Sequence, residues 1–169
     1  MMAAYMELAK PGEEHKLLES LVGTWNMDGK MWMQPEAEPM AFKGESVNKM
    51  ILGGRFLLTE SKSGEGDMYT ETFNLACFDR RHKKYTTIGL DTWGTYYVTA
   101  AGTYDEKTKT LKMYGEDEDP VMGFTQKYDF IIHFESPDKH IYKVVFYDFP
   151  TPAGVQKEFK IMGIVYTRK

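Results

Sequence analysis

Leu21-Val22-Gly23-Thr24-Trp25-Asn26-Met27-Asp28-Gly29-Lys30-Met31 is where this chain changes period. Upstream, Leu17, Leu18, Leu21 and Val22 recur at helical spacing. They follow Pro11-Gly12-Glu13-Glu14, whose acids suit the first turn of a helix, and Gly23 supplies the stop. That spacing predicts one helix over about residues 13–22. Downstream, Trp25, Met27, Met31 and Met33 alternate with Asn26, Asp28 and Lys30, as in a strand with one buried face. Gly29 falls on the apolar face, where a strand can bend sharply.

The period of two then persists to the end of the chain. Segments at 40–52, 55–62, 68–79, 84–93, 95–104, 109–118, 125–135, 140–149 and 156–168 are separated by Gly-, Pro-, Asp- or Lys-rich breaks. The clearest alternations are Gln126-Tyr128-Phe130-Ile132-Phe134 and Phe159-Ile161-Gly163-Val165; in 68–79 and 140–149 both faces carry apolar residues. Ten strands with short connections predict an antiparallel meander. Closing it into an up-and-down barrel removes its edges, although regular spacing alone also fits a sandwich. No repeat or interdomain linker breaks the chain, so 1–169 reads as a single all-β domain, its short N-terminal helix closing one end.

Composition narrows the function classes. Aromatic and methionine side chains outnumber Leu, Ile and Val by 36 to 25, and 42% apolar content at a net charge of −4 supports a packed core. A sequence pI near 5.6 argues against general nucleic-acid binding. No apolar run is long enough for a membrane-spanning helix. One cysteine, Cys77, excludes a disulfide scaffold. The first residues lack the pattern of a secretory signal, and the expected compartment is cytoplasmic.

Two sets of residues carry a resemblance. Gly23-Thr24-Trp25, entering the first strand from a short helix, is similar to the Gly-x-Trp signature of the calycins, the lipocalins and fatty-acid-binding proteins among them. The resemblance implies a calycin-like barrel in which Trp25 plugs the closed end, with a basic residue of the last strand, here Arg168, stacked over it as a cation–π pair. More specifically, Pro11-Gly12-Glu13-Glu14-His15, Leu52-Gly53-Gly54-Arg55-Phe56, Asp91-Thr92-Trp93-Gly94-Thr95, Gly102-Thr103-Tyr104-Asp105 and Tyr166-Thr167-Arg168-Lys169 resemble the family called domain of unknown function 1579. That likeness implies a fold and brings little chemistry.

The candidate chemistry is spare. His15, His82, His133 and His140 show no ligand spacing and read as surface residues, so neither a metal nor a cofactor is expected. No nucleophile elbow is present, and Cys77 has no neighbour to activate it. Leu52-Gly53-Gly54-Arg55 links two strands and reads as a tight hairpin. Glu60 shares a face with Phe56 and Leu58, and Asp91 with Tyr85, Gly89 and Trp93; facing inward, each carboxylate would need a partner or a raised pKa. Alternating turns put basic residues at the Trp25 end and acids at the other: Glu36, Glu38, Glu65, Asp67 and Glu116-Asp117-Glu118-Asp119. Such a rim disfavours anionic ligands. Aromatics and Met at strand ends would ring that mouth.

The reading that follows is a barrel binding a small hydrophobic or aromatic, neutral-to-cationic ligand through Met33, Phe42, Phe56, Leu58, Glu60, Asp91, Trp93, Tyr96, Tyr128 and Tyr147. Two alternatives stand beside it. One is an enzyme using interior carboxylates for proton transfer in isomerisation or hydrolysis. The other is a structural homodimer, suggested by Trp32 on the polar face of the first strand.

Overall fold

Alternation along the sequence becomes two faces of one sheet. The computed structural model describes residues 1–169 and contains ten strands: β1 Gly23–Met31, β2 Met40–Ile51, β3 Phe56–Ser63, β4 Thr70–Asp79, β5 Lys84–Asp91, β6 Val98–Asp105, β7 Thr110–Asp119, β8 Phe124–Ser136, β9 Lys139–Thr151 and β10 Gly154–Arg168. Each pairs antiparallel with its chain neighbours, and β1 also pairs with β10, placing Trp25 opposite Arg168 and Met27 opposite Tyr166. The sheet is a closed barrel with no edge strand. No helix is long and apolar enough to cross a membrane.

The helical region differs from the expectation. There are two helices, α1 Met2–Leu8 and α2 His15–Glu19, not one over 13–22. The short α2 carries Leu18, which with Leu21 enters the core against Leu57, Tyr85 and Leu111 and closes the barrel's lower end. No residue of α1 is buried. The chain around it is tied down from outside, because Arg80 donates to the Glu7 and Lys10 carbonyls and Arg55 to the Ala9 carbonyl. Short sequence periodicity carries no trace of such contacts.

Register fixes which residues face in. Trp25, Met27 and Gly29 of β1 point inward, and the ring of Phe42 on β2 lies where a Gly29 side chain would stand. On β8 the alternation Gln126-Tyr128-Phe130-Ile132-Phe134 is inward throughout. Two other readings change. The pairing of β9 with β10 shifts between Lys160 and Met162, so Phe159, Ile164 and Tyr166 face in while Gly163 and Val165 face out. Tyr147 pairs with Lys127 and faces out, and the left-handed φ of 52° at Asp148 turns Phe149 inside against Phe146 and Phe159.

Candidate functional site: the barrel interior

The inward faces form two unlike walls. On β2 to β5 they carry small polar groups: Ser46 and Asn48, Thr59 and Ser61, Thr72 and Asn74, and Thr87. Some of these bond one another, Ser46 to Asn48 at 2.6 Å and Thr87 to Asn74 at 3.0 Å. On β8 to β10 the wall is aromatic. Tyr128 stacks on Phe130 with ring centroids 5.0 Å apart, and Phe130 packs at 6.0 Å on Tyr142. Between the mouth and Trp25 no Lys, Arg, Asp or Glu side chain faces inward; the inward carboxylates, Asp91, Asp117 and Asp119, stand at the open rim, and the inward arginine, Arg168, lies at the closed end against Trp25.

Tyr142 and Tyr166 distinguish the aromatic wall. Burial pushes both hydroxyls well above the ordinary tyrosine range, and neither is held by a hydrogen bond. Both residues are nonetheless half-buried, as are Phe130, Ile132, Thr59 and Asn74 around the same interior. Tyr128, by contrast, is sealed and donates to the Thr99 carbonyl.

The closed end is built from Trp25. Its indole N–H donates to the Leu21 carbonyl at 2.8 Å, and the Asn48 amide reaches the same oxygen at 2.9 Å. Arg168 lies 4.2 Å from the ring centroid, its fork bonded to the Ser20, Val22 and Pro137 carbonyls and paired with Asp138. On the other side His140 meets Trp25 edge-on and stacks on Tyr166, both at 4.5 Å. Desolvation first, then the nearby Arg168 charge, lowers the His140 pKa to about 4. The ring is therefore neutral at pH 7, and its Nδ1 is buried without a partner.

A family model for proteins of unknown function, DUF1579, matches residues 10–168. The chain belongs to that family. No curated protein matches the sequence. Among solved structures, the barrel is similar to Rv2717c from M. tuberculosis, with a TM-score of 0.64 at 14% identity over 95% of this chain and 99% of that one. It is also similar to the S-type phycobiliprotein lyase CPES from Guillardia theta, with a TM-score of 0.62 at 8% identity over 98% of this chain and 96% of that one. At such identities the likeness is one of fold.

Within this DUF1579 barrel the residues singled out from sequence separate into three groups. Phe42 and Tyr128 face the interior. Met33, Trp93 and Tyr96 are exposed on loops at the mouth, where the Trp93 indole donates to Thr70 and the Trp93 backbone N–H to the Asp91 carboxylate. Asp91 is thus on the inward side but exposed at the rim, bracing that turn. Phe56, Leu58, Glu60 and Tyr147 lie on the outer wall. The reason for the first three is plain: Leu57 and Leu58 are both apolar, and the inward face of β3 begins at Leu57. Glu60 pairs with Lys49 at 3.3 Å outside the barrel, so it and Asp91 do not share a cavity. Tyr147 donates instead to Asp129, an outer-wall carboxylate that is buried and also holds Lys112 at 2.8 Å.

The histidine reading needs correction as well. His15 and His140 are buried, not on the surface. His15 packs edge-on against Phe78 and accepts the Gly12 N–H. The inward positions of His140 and Tyr142 are hidden in the sequence because the 139–151 strand is apolar on both faces, and that of Tyr166 because the shift between Lys160 and Met162 reverses the parity of β10 beyond it. The one available signal was His140 opposite Phe134 in a hairpin whose β8 arm alternates cleanly.

Proposed function

We propose that this protein binds a small, neutral, largely aromatic or apolar molecule inside the barrel, between the aromatic wall and the wall of hydroxyls and amides. The observation that carries the reading is the pair Tyr142 and Tyr166, enclosed yet half-buried, with hydroxyls that no protein group engages. A ligand beside them would supply both the missing neighbours and the missing hydrogen-bond partners. An interior free of charge between the rim and Trp25 disfavours a fatty-acid carboxylate or an ammonium, each of which would be stranded in a medium of low dielectric. This narrows the neutral-to-cationic class to neutral. That a barrel of this fold is a phycobiliprotein lyase in Guillardia theta is compatible with a role beyond scaffolding.

Titration with Nile red, a neutral dye, tests the proposal against laurate as the anionic counterpart. Nile red should bind and laurate should not. The double variant Tyr142→Phe, Tyr166→Phe should weaken a hydrogen-bonding ligand by about fivefold per lost bond, and Ser61→Phe, which fills the polar side, should abolish binding. Undiminished dye binding by Ser61→Phe would place the dye elsewhere and overturn the reading.

A homodimer remains a second reading, on one specific observation. The outer wall of β2 to β5 is apolar: Leu90, Phe73, Glu60 and Val47 form one cross-strand row and Ile88, Leu75, Leu58 and Lys49 the next. Val47, Phe73, Ile88 and Leu90 are about 40% exposed, on a face that water alone would be expected to keep polar. A twofold contact would cover both rows and leave the Glu60–Lys49 pairs at its centre to exchange partners. The acid/base enzyme reading has no comparable support, its two carboxylates lying on opposite sides of the wall.

A further inference from the structure

The outer wall where β1 closes against β10 carries a trough of about 800 Å³. Gly163 is at its centre. A side chain added there would meet no atom within 4 Å, so the glycine leaves a gap in the cover of the sheet. Lys30 and Lys143 are its direct cross-strand neighbours, one on each side. With strands about 4.8 Å apart, the two lysine Cα atoms stand roughly 10 Å from each other across the gap. Lys43 and Lys160 complete the rim, and Lys160 is laid over the Trp32 ring at 4.0 Å. Ile141 and Val165 supply an apolar floor.

The charge arrangement is one-sided. Asp28 is the only carboxylate lining the trough. None of the four lysines forms an ion pair, whereas Lys49, Lys62, Lys112, Lys127, Lys139 and Lys157 on the other outer faces all do. On a chain of net charge −4 this is a local concentration of unneutralised ammonium groups, with a recess between them that nothing in the protein fills.

We propose that this trough is a binding site for a phosphate-class oxyanion, seated over Gly163 between Lys30 and Lys143, with any apolar body of the ligand lying on Ile141 and Val165. Lysine suits that role as a mobile point charge with three donors. The site is separate from the barrel interior, since Gly163 and the lysines face outward, and it does not depend on the interior holding a ligand. A free phosphate ester and a phospholipid headgroup offer the same chemistry.

The test uses the whole chain and two probes. In nuclear magnetic resonance titrations, pyrophosphate should shift the amides of Lys30, Lys143 and Gly163 and leave those of the apolar outer wall unmoved. Each of Lys30→Ala and Lys143→Ala should weaken binding by about three- to tenfold, with an affinity that falls as salt rises. Gly163→Val is the informative variant. It fits the open space, replaces a weak strand residue with a strong one and should raise the thermal midpoint while abolishing binding. In a second arm, vesicles of phosphatidylglycerol are compared with vesicles of phosphatidylcholine. Sedimentation with the former only, lost in Gly163→Val, supports the site and assigns the anion to a lipid headgroup; pyrophosphate binding without sedimentation supports it and assigns a soluble ligand. The proposal is overturned if neither probe binds, or if Gly163→Val binds as well as the parent.

Discussion

His140 makes a quantitative prediction about acid stability. Its pKa is about 4 in the folded barrel and near the ordinary 6.5 when the chain unfolds, because burial and Arg168 both oppose a charge there. As pH falls the unfolded chain takes up the proton first, so stability is full above pH 6.5, declines between 6.5 and about 4, and changes no further through this group below that. The separation corresponds to about 3 kcal/mol, a large part of a typical domain's stability. Other groups titrate in the same range, including His15, whose pKa burial also lowers. The comparison is therefore with His140→Phe, which keeps a ring stacked on Tyr166 and edge-on to Trp25 and strands no partner, since Nδ1 has none. Urea unfolding at pH 7 should find the two proteins within about 1 kcal/mol of each other. At pH 4 the variant should be more stable by about 3 kcal/mol. Equal losses in both proteins, or a His140 ring that titrates near 6.5 by nuclear magnetic resonance, would refute the argument that this histidine is sealed and neutral.

Three further outcomes follow from the geometry. Arg168→Ala removes the fork that ties the Ser20, Val22 and Pro137 carbonyls together over Trp25; denaturation should show a loss of about 3–4 kcal/mol, discounted for partial exposure of the side chain, and Arg168→Lys should recover only a minor part of it. Gly29→Ala puts a methyl where Phe42 has its ring, 2.2 Å from the nearest ring atom, and should cost about 1–3 kcal/mol, with much of the loss restored by Phe42→Leu in the same chain. If the apolar outer wall covers itself in a dimer, sedimentation should give a dimer for the parent and a monomer for Phe73→Lys, whereas a parent that remains monomeric at high concentration removes that reading.

Much of the architecture is legible in the order of residues. Strand positions follow from alternation and from turn residues between the runs, so predicted ends such as 125–135 and 140–149 lie within two residues of Phe124–Ser136 and Lys139–Thr151. Trp25 against Arg168 is also readable, because a ten-stranded meander that closes must bring its last strand beside its first. The site is far less legible. Where one face of a strand is apolar and the other polar, parity can be read, as on β8. Where both are apolar, as at Leu57-Leu58 or along 139–151, one residue of ambiguity turns an interior anchor into an outer-wall group, and Glu60 and Tyr147 changed sides for that reason.

The sequence by itself determined ten antiparallel strands with acids gathered in the turns of one end, because period, turn chemistry and charge are properties of neighbours along the chain; closure at the Trp25 end was what the calycin resemblance implied, and the pairing of β1 with β10 made the sheet a barrel and not a sandwich. Only the tertiary structure decided which surplus aromatics line the interior, that the interior is uncharged between its rim and Trp25, and that His140 and Tyr166 lie together against Trp25. It alone placed four lysines around Gly163. The physical reason is the register between strands: a bulge at Lys160–Met162 or a left-handed Asp148 shifts every side chain beyond it to the opposite face, and the packing that selects such a shift involves residues far apart in the chain.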